Sequence, residues 1–285
     1  MSRMHQLAVE NEEIADRGSY RTREGVAVEI GPQLAAARAG TVSYGPGPLP
    51  GHVPAGPGTG TVEVTAEGSI QAGARLTAAG GEHVAVLNFA SARNPGGGYL
   101  RGAKAQEEDL CRSALLYRSL LEAPDYYAAH RASADLRYSH RVIWSPHVPV
   151  VRGEGGLLAQ PYPLSFLTSP APNAGQLALR SGGRPVDVAA VLAERAGRVL
   201  AVAARHGVRE LVLGAWGCGV FRNDPAVVAD AFAQALAADG AAFTKIVFAV
   251  WDRSPVSANR AAFEERFGAR SSAGPGPAPT TTLRS

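Results

Sequence analysis

Two glycine-rich stretches and one pair of adjacent carboxylates hold the groups best suited to chemistry in this chain. The first stretch runs Asn94-Pro-Gly-Gly-Gly-Tyr-Leu-Arg-Gly-Ala-Lys-Ala-Gln-Glu-Glu108. Three consecutive glycines, Gly96, Gly97 and Gly98, let a backbone approach a ligand with no Cβ in the way, and their amides can form a nest for an anion. After seven intervening residues come Gln106, Glu107 and Glu108. A carboxyl group can protonate a leaving oxygen or take a proton from water; in a first helical turn it can equally complement the helix dipole. Adjacent helical residues point about 100° apart, so the two glutamates cannot play one role, and they are not the opposed carboxylate pair of common glycosidases. The second stretch is Leu213-Gly-Ala-Trp-Gly-Cys-Gly-Val-Phe-Arg-Asn-Asp224. A strand, a glycine-rich loop and a capped helix N-terminus make a general phosphate-binding geometry. No Gly-Lys-Ser/Thr follows, so it is no Walker loop, and its GxxGxG spacing is not the dinucleotide fingerprint.

These segments need elements to position them. Val84–Phe89 is a near-continuous apolar run, as expected of a strand buried on both faces. It feeds the first glycine stretch. A helix is expected from Gln106, with Leu110, Ala114, Tyr117 and Leu121 at helical spacing and Pro124 as its stop. Further strands are expected at 61–64, 142–144, 165–168, 210–213 and 246–250. Helices are expected at 5–20, 31–38, 69–78, 187–206 and 257–267. Gly207 suits a helix C-terminus, and Asp224 with Pro225 suits a helix start. Residues 45–60 read as a Pro/Gly loop, and 269–285 as a low-complexity, disordered tail. Alternating strands and helices predict an α/β domain whose ligands gather at the carboxyl ends of strands, where both glycine stretches lie.

Composition narrows the classes. The 285 residues carry a formal charge of +3 and a pI of about 9.0, with 46% hydrophobic residues, 33 Gly and 20 Pro. No run approaches the roughly 18 apolar residues of a membrane helix. The first 24 residues are charged and hold no signal-peptide core, so a cytoplasmic protein is expected. Cys111 and Cys218 make no disulfide framework, and the seven histidines show no zinc-ligand spacing. His147 alone reads as a hydrogen-bonded structural residue. The mild basicity suits a polyanionic substrate, but no Lys/Arg run interleaved with aromatics marks a nucleic-acid footprint.

Taken together, the triple glycine, seven residues and Gln-Glu-Glu resemble the catalytic-loop signature of poly(ADP-ribose) glycohydrolases. Leu87-Asn-Phe-Ala-Ser-Ala before it and Leu110-Cys-Arg-Ser-Ala-Leu-Leu-Tyr after it look like the bacterial-type branch. Ser145-Pro-His-Val-Pro-Val150 and Thr168-Ser-Pro-Ala-Pro-Asn173 look like it too. The likeness covers about residues 60–255. It implies a macrodomain-like α/β fold, a mixed sheet sandwiched between helices, with an N-terminal helical extension over 1–45, a catalytic domain over 46–268 and the tail beyond. It implies hydrolysis of the ribose–ribose bond of poly(ADP-ribose), with a place in the response to DNA damage. Glu108 would be the general acid, and Glu107 would hydrogen-bond ribose hydroxyls near the scissile bond. Gln106 would fix the loop or touch ligand. Gly96, Gly97 and Gly98 would support the distal ribose and phosphate, and Asn94 would stand in for the ribose-binding Asn of many macrodomains, since Ser91 follows Asn88 here. Gly217, Gly219, Val220 and Phe221 would hold the diphosphate and ribose. Ile70 and Gln71 fall in the adenine-edge segment, and Phe248 would stack on adenine or fill the core. No cofactor or metal is expected. The expected partner is poly(ADP-ribose), or ADP-ribose on modified proteins, met by a monomer that engages neither membrane nor specific nucleic-acid sequence. The alternatives are a non-catalytic ADP-ribose reader and an enzyme that removes single ADP-ribose groups from side chains.

Overall fold

The computed structural model describes residues 2–58 and 60–268. The tail expected to be disordered, 269–285, lies outside them.

The chain opens with helix α1 (Arg3–Arg17), capped by the Ser2 hydroxyl, which accepts from the His5 amide. Gly18, at φ 72°, ends the helix earlier than the periodicity of 5–20 predicts. A two-stranded antiparallel ribbon follows, β1 (Ser19–Arg21) and β2 (Ala27–Glu29). Then come α2 (Gly31–Ala39) and β3 (Val42–Tyr44). The N-terminal segment is therefore not helices alone. β3 adds an antiparallel strand to the edge of the main sheet, so the segment is part of the body.

The body continues through β4 (Thr61–Thr65), α3 (Ser69–Ala78) and β5 (Val84–Phe89). After the triple-glycine loop come α4 (Gln106–Ser113), α5 (Leu116–Leu120) and α6 (Pro124–Ala132). The single helix expected from Gln106 is thus three. Ala114 turns to extended geometry and bridges to Val150, which breaks the first. Pro124 starts the last rather than stopping the run. Its fixed φ and missing N–H suit a first helical position.

Next is a long hairpin, β6 (Val142–Gly153) and β7 (Gly156–Ser169). Sequence patterning reads only its inner ends as strand, because Pro146, Pro149, Pro161 and Pro163 interrupt it. Pro cannot donate to a ladder, and the register shifts between Ser145 and Val148. His147, at φ 47°, lies on that irregularity, and its ring stacks on His83 at 5.3 Å. The chain ends with α7 (Ala174–Arg180), α8 (Ala189–Arg205), β8 (Glu210–Leu213), α9 (Pro225–Asp239), β9 (Lys245–Ala249) and α10 (Ala258–Phe267).

Seven strands form one mixed sheet in the order β3-β6-β7-β5-β8-β9-β4. The run from β7 to β4 is parallel, and β6 and β3 are antiparallel to their neighbours. β5 lies between β7 and β8, which explains its unbroken apolar run. Side chains alternate across a strand. Ala85 and Leu87 join the core under α8 and α9, while Val84 and Val86 join the core under α3 and α4. Asn88 shares the parity of Val84 and Val86, so the one polar residue of the strand faces α4.

Candidate active site

The carboxyl ends of β5 and β8 carry the two glycine-rich loops. Around β5 the site is built on one interlocked set of hydrogen bonds. Gln106, first residue of α4, uses its whole amide on the scaffold. Its Nε2 donates to Leu87 O at 2.8 Å and Ser69 Oγ at 3.1 Å, and its Oε1 accepts from the Phe89 amide at 2.8 Å. It pins the start of α4 to β5 and to the first turn of α3. Of the two roles open to it from sequence, loop fixation is the one its contacts fill.

Glu107 is fully enclosed. Its Oε1 accepts from Asn88 Nδ2 at 3.3 Å and its Oε2 from the Ser91 amide at 2.7 Å. Burial pushes its carboxyl up to about 8, opposed by the Ser91 and Asn88 donors and reinforced by the neighbouring Glu108. Asn88 also donates to Thr168 Oγ1 at 3.2 Å, while its Oδ1 is buried without a partner among the described residues. Glu108 is 7% exposed, and its Oε1 accepts from the Gly98 amide at 2.8 Å. Of the four glutamate oxygens, Glu108 Oε2 alone meets no protein donor among the described residues.

The triple glycine is thus a nest, but one occupied by the protein's own carboxylates. The Gly98 amide holds Glu108, the Gly96 amide helps hold Glu107, and the Gly97 amide turns back to Asn94 O at 3.0 Å. A free anion-binding nest is not what these amides form. Gly97 shows why a side chain is excluded. Its φ is 58°, and a Cβ would lie 2.5 Å from Glu108 Oε1 and 3.0 Å from Glu107 Oε2. Asn94 is exposed at the loop's outer corner, its amide donating to Ser91 Oγ.

The loop after β8 is different. Among the described residues, no acceptor engages the amides of Gly217, Gly219, Val220 or Phe221, and four free donors on one turn suit an anion. The turn is held from below. Trp216 is buried and donates to Ser169 O at 3.1 Å, and Asn223 Nδ2 bonds Pro172 O and Gly217 O at 2.9 and 3.1 Å. Gly217, at φ 72°, leaves no room for a Cβ beside Ala171 and Asn223. Val220 is 83% exposed at the tip.

Towards the other edge of the sheet, Ile70 is buried in the core under α3, whereas Gln71 is exposed and its amide folds back over Gly68. Phe248 needs a correction. It is wholly buried, stacked on Phe267 at 4.2 Å and packed on Phe232 and Phe263 beneath α9 and α10. It presents no face to a ligand. Sequence alone assigns no role to Asn88 or to the Ser91 amide in holding Glu107. The signal was there: a lone Asn in a buried apolar strand must be matched by a polar partner.

Comparison with known proteins bears on this arrangement. Residues 8–153 match the family model described as "Microbial-type PARG, catalytic domain". No curated protein matches the chain. Among solved structures, poly(ADP-ribose) glycohydrolase from Thermomonospora curvata is 45% identical, with 93% of this chain and 99% of that one covered at a TM-score of 0.83. The same enzyme bound to the inhibitor ADP-HPD is 46% identical over the same shares, at a TM-score of 0.82. The enzyme from Deinococcus radiodurans in complex with ADP-ribose is 45% identical, with 82% and 97% covered and a TM-score of 0.75. On sequence, fold and site alike, the chain belongs to the microbial-type poly(ADP-ribose) glycohydrolases.

Proposed function

We propose that this chain hydrolyses the ribose–ribose bond of poly(ADP-ribose) with Glu108 as its general acid and base. The relatives above carry that activity in their names, and two of them bind ADP-ribose or an inhibitor at 45–46% identity to this chain. The observation that carries the assignment of roles is the unequal engagement of the two glutamates. Glu107 has both oxygens held by the protein, whereas Glu108 keeps Oε2 without a protein donor.

Cleavage builds positive charge on the ribose ring and negative charge on the departing 2′-oxygen. Glu108 delivers a proton to that oxygen, then accepts one from the attacking water, so a single carboxyl serves both steps. Glu107 positions. Its remaining hydrogen-bonding capacity serves ribose hydroxyls near the scissile bond. The raised affinity of Glu107 for a proton does not make it the acid. Access decides the assignment, because a carboxyl walled in by Asn88 and Ser91 cannot follow a proton onto a leaving group. The free amides of Gly217, Gly219, Val220 and Phe221 take the diphosphate of the ADP-ribose whose bond is cut.

The test is release of ADP-ribose from purified polymer in EDTA by wild type and Glu108→Gln, beside ADP-ribose binding. We expect release by wild type and loss of nearly all of it, roughly 10²–10⁴-fold as for acid–base groups elsewhere, in a variant that still binds ADP-ribose. Substantial turnover by Glu108→Gln would remove Glu108 from the acid role. Tight ADP-ribose binding with no release by either protein would make the chain a reader.

A further inference from the structure

Arginines from three segments of the chain, Arg93, Arg131 with Arg137, and Arg180, gather around one loop beside the site. Arg93, in the catalytic loop, donates from Nη2 to Ser133 O at 3.0 Å. Arg131, at the end of α6, donates from Nη1 to Arg93 O at 2.8 Å. Arg180, at the end of α7, donates from Nη1 to Ala134 O at 2.9 Å. Arg137 lies on the same 133–138 loop. Its only carboxylate within ion-pair reach among the described residues is Asp135, at 3.8 Å. The other three meet no carboxylate there. Backbone carbonyls orient the guanidinium groups of Arg93, Arg131 and Arg180 but do not neutralise them, and Arg93 Nε is left without a partner among the described residues. Arg131, Arg137 and Arg180 are exposed.

Topology says which side of the site this is. The 133–141 segment leads into β6, and the segment from Pro170 to Arg180 leaves β7. Because β6 is antiparallel to β7, both lie at the sheet end where β5 and β8 deliver their loops. In the strand order, β7 and β6 flank β5 on the side away from β8, β9 and β4. Ser69–Gln71 follows β4, at the opposite edge. With the diphosphate on the free amides after β8 and the reacting ribose at Glu108 beside β5, the leaving chain exits on the side of β7 and β6, where the arginines lie.

We infer that Arg93, Arg131, Arg137 and Arg180 form a track for the diphosphates of the polymer on the leaving-group side of the scissile bond. The inference rests on the proposed hydrolysis of poly(ADP-ribose). The track adds affinity for chain, not for a single ADP-ribose. A polyanion is bound there with release of its counterions, so its strength falls with salt.

The test compares wild type, the triple variant Arg131→Gln/Arg137→Gln/Arg180→Gln and the matching triple Lys variant. Hydrolysis of long poly(ADP-ribose) is followed at several salt concentrations, beside the affinity for ADP-ribose. In the Gln variant we expect KM for long polymer at low salt to rise several-fold. The dependence of log KM on log salt should flatten by about 2, at roughly 0.7 per lost phosphate contact. kcat and ADP-ribose affinity should stay unchanged, and Lys should restore the slope. Unchanged KM and slope with an active wild type overturn the track. A wild type that binds ADP-ribose but releases none from polymer overturns the proposed function itself, and the track with it.

Discussion

At the scale of single residues, Glu107 and Glu108 differ through the donors each meets and the water each loses. Burial outweighs the Ser91, Asn88 and Gly96 donors at Glu107, so its folded carboxyl binds a proton up to about pH 8, against an ordinary value of 4.5. Between those values the folded chain holds a proton that the unfolded chain releases. Stability from this group is therefore fully present below about pH 4.5 and is lost as pH rises through 8. At 1.36 kcal/mol per unit the loss is at most about 5 kcal/mol. Glutamine at 107 removes the titration. Its carbonyl still accepts from Ser91, and its amide finds Asn88 Oδ1, now unpartnered, once the Asn88 amide turns over. Thermal melts of wild type and Glu107→Gln from pH 5 to 9 should therefore diverge, the variant gaining roughly 5–10 °C over wild type towards the alkaline end. Its hydrolysis should be severely impaired through lost ribose positioning. Parallel pH profiles would mean that Glu107 is ionised in the folded chain throughout.

At the scale of elements, the site depends on how α4 is attached to β5. Gln106 supplies the backbone part of that attachment, accepting from Phe89 N and donating to Leu87 O, and ties α4 to Ser69 of α3 as well. Replacing it by Met keeps the volume but leaves Phe89 N and Leu87 O without partners. We expect a loss of about 2–3 kcal/mol and a fall in kcat, because the α4 glutamates lose their anchor. A melting temperature within a degree of wild type would show that water or a neighbour replaces the clamp. The elements themselves were unequally legible. β5, α3, β8 and the start of α9 were readable to the residue, because an apolar run between glycines, or Asp224 before Pro225, is decided locally. The break at Ala114 was not readable, since its cause is a bridge to Val150, a tertiary contact. The β6–β7 hairpin was hidden by prolines that an irregular ladder tolerates. The loop glycines and both glutamates were legible from type and spacing, but the use of the nest amides on the glutamates depends on how α4 folds back. The arginine cluster has no sequence signature, because loops from three strands bring it together.

At the scale of the molecule, the first forty residues are bound into the catalytic body. Asn11, fully buried on α1, donates from Nδ2 to Arg112 O at 2.7 Å and Cys111 O at 3.2 Å, the last carbonyls of α4, which have no helical partner. Its Oδ1 accepts from Arg152 on β6 at 2.9 Å. Arg118 on α5 pairs with Glu12 at 2.6 Å and Asp16 at 2.7 Å, and Tyr99, beside the triple glycine, donates to Glu12 and to Ala8 O. Ile14, Tyr20, Val28, Ile30 and Leu34 close a core with Leu115 and Val151 of the body. At about 1.5–3 kcal/mol for each buried large side chain, that core is comparable with the whole net stability of a domain, about 5–15 kcal/mol. Asn11→Leu, which leaves two α4 carbonyls unpaired and Arg152 with Glu10 as its remaining partner, should cost about 2–3 kcal/mol. It should lower hydrolysis more than ADP-ribose affinity, because it loosens the helix that carries Glu108. A chain that starts at Thr41 should give no cooperative thermal transition. A soluble, cooperatively melting chain of that kind with wild-type hydrolysis would make the N-terminal segment an appendage, and would mean that α4 keeps its geometry without the cap that Asn11 provides.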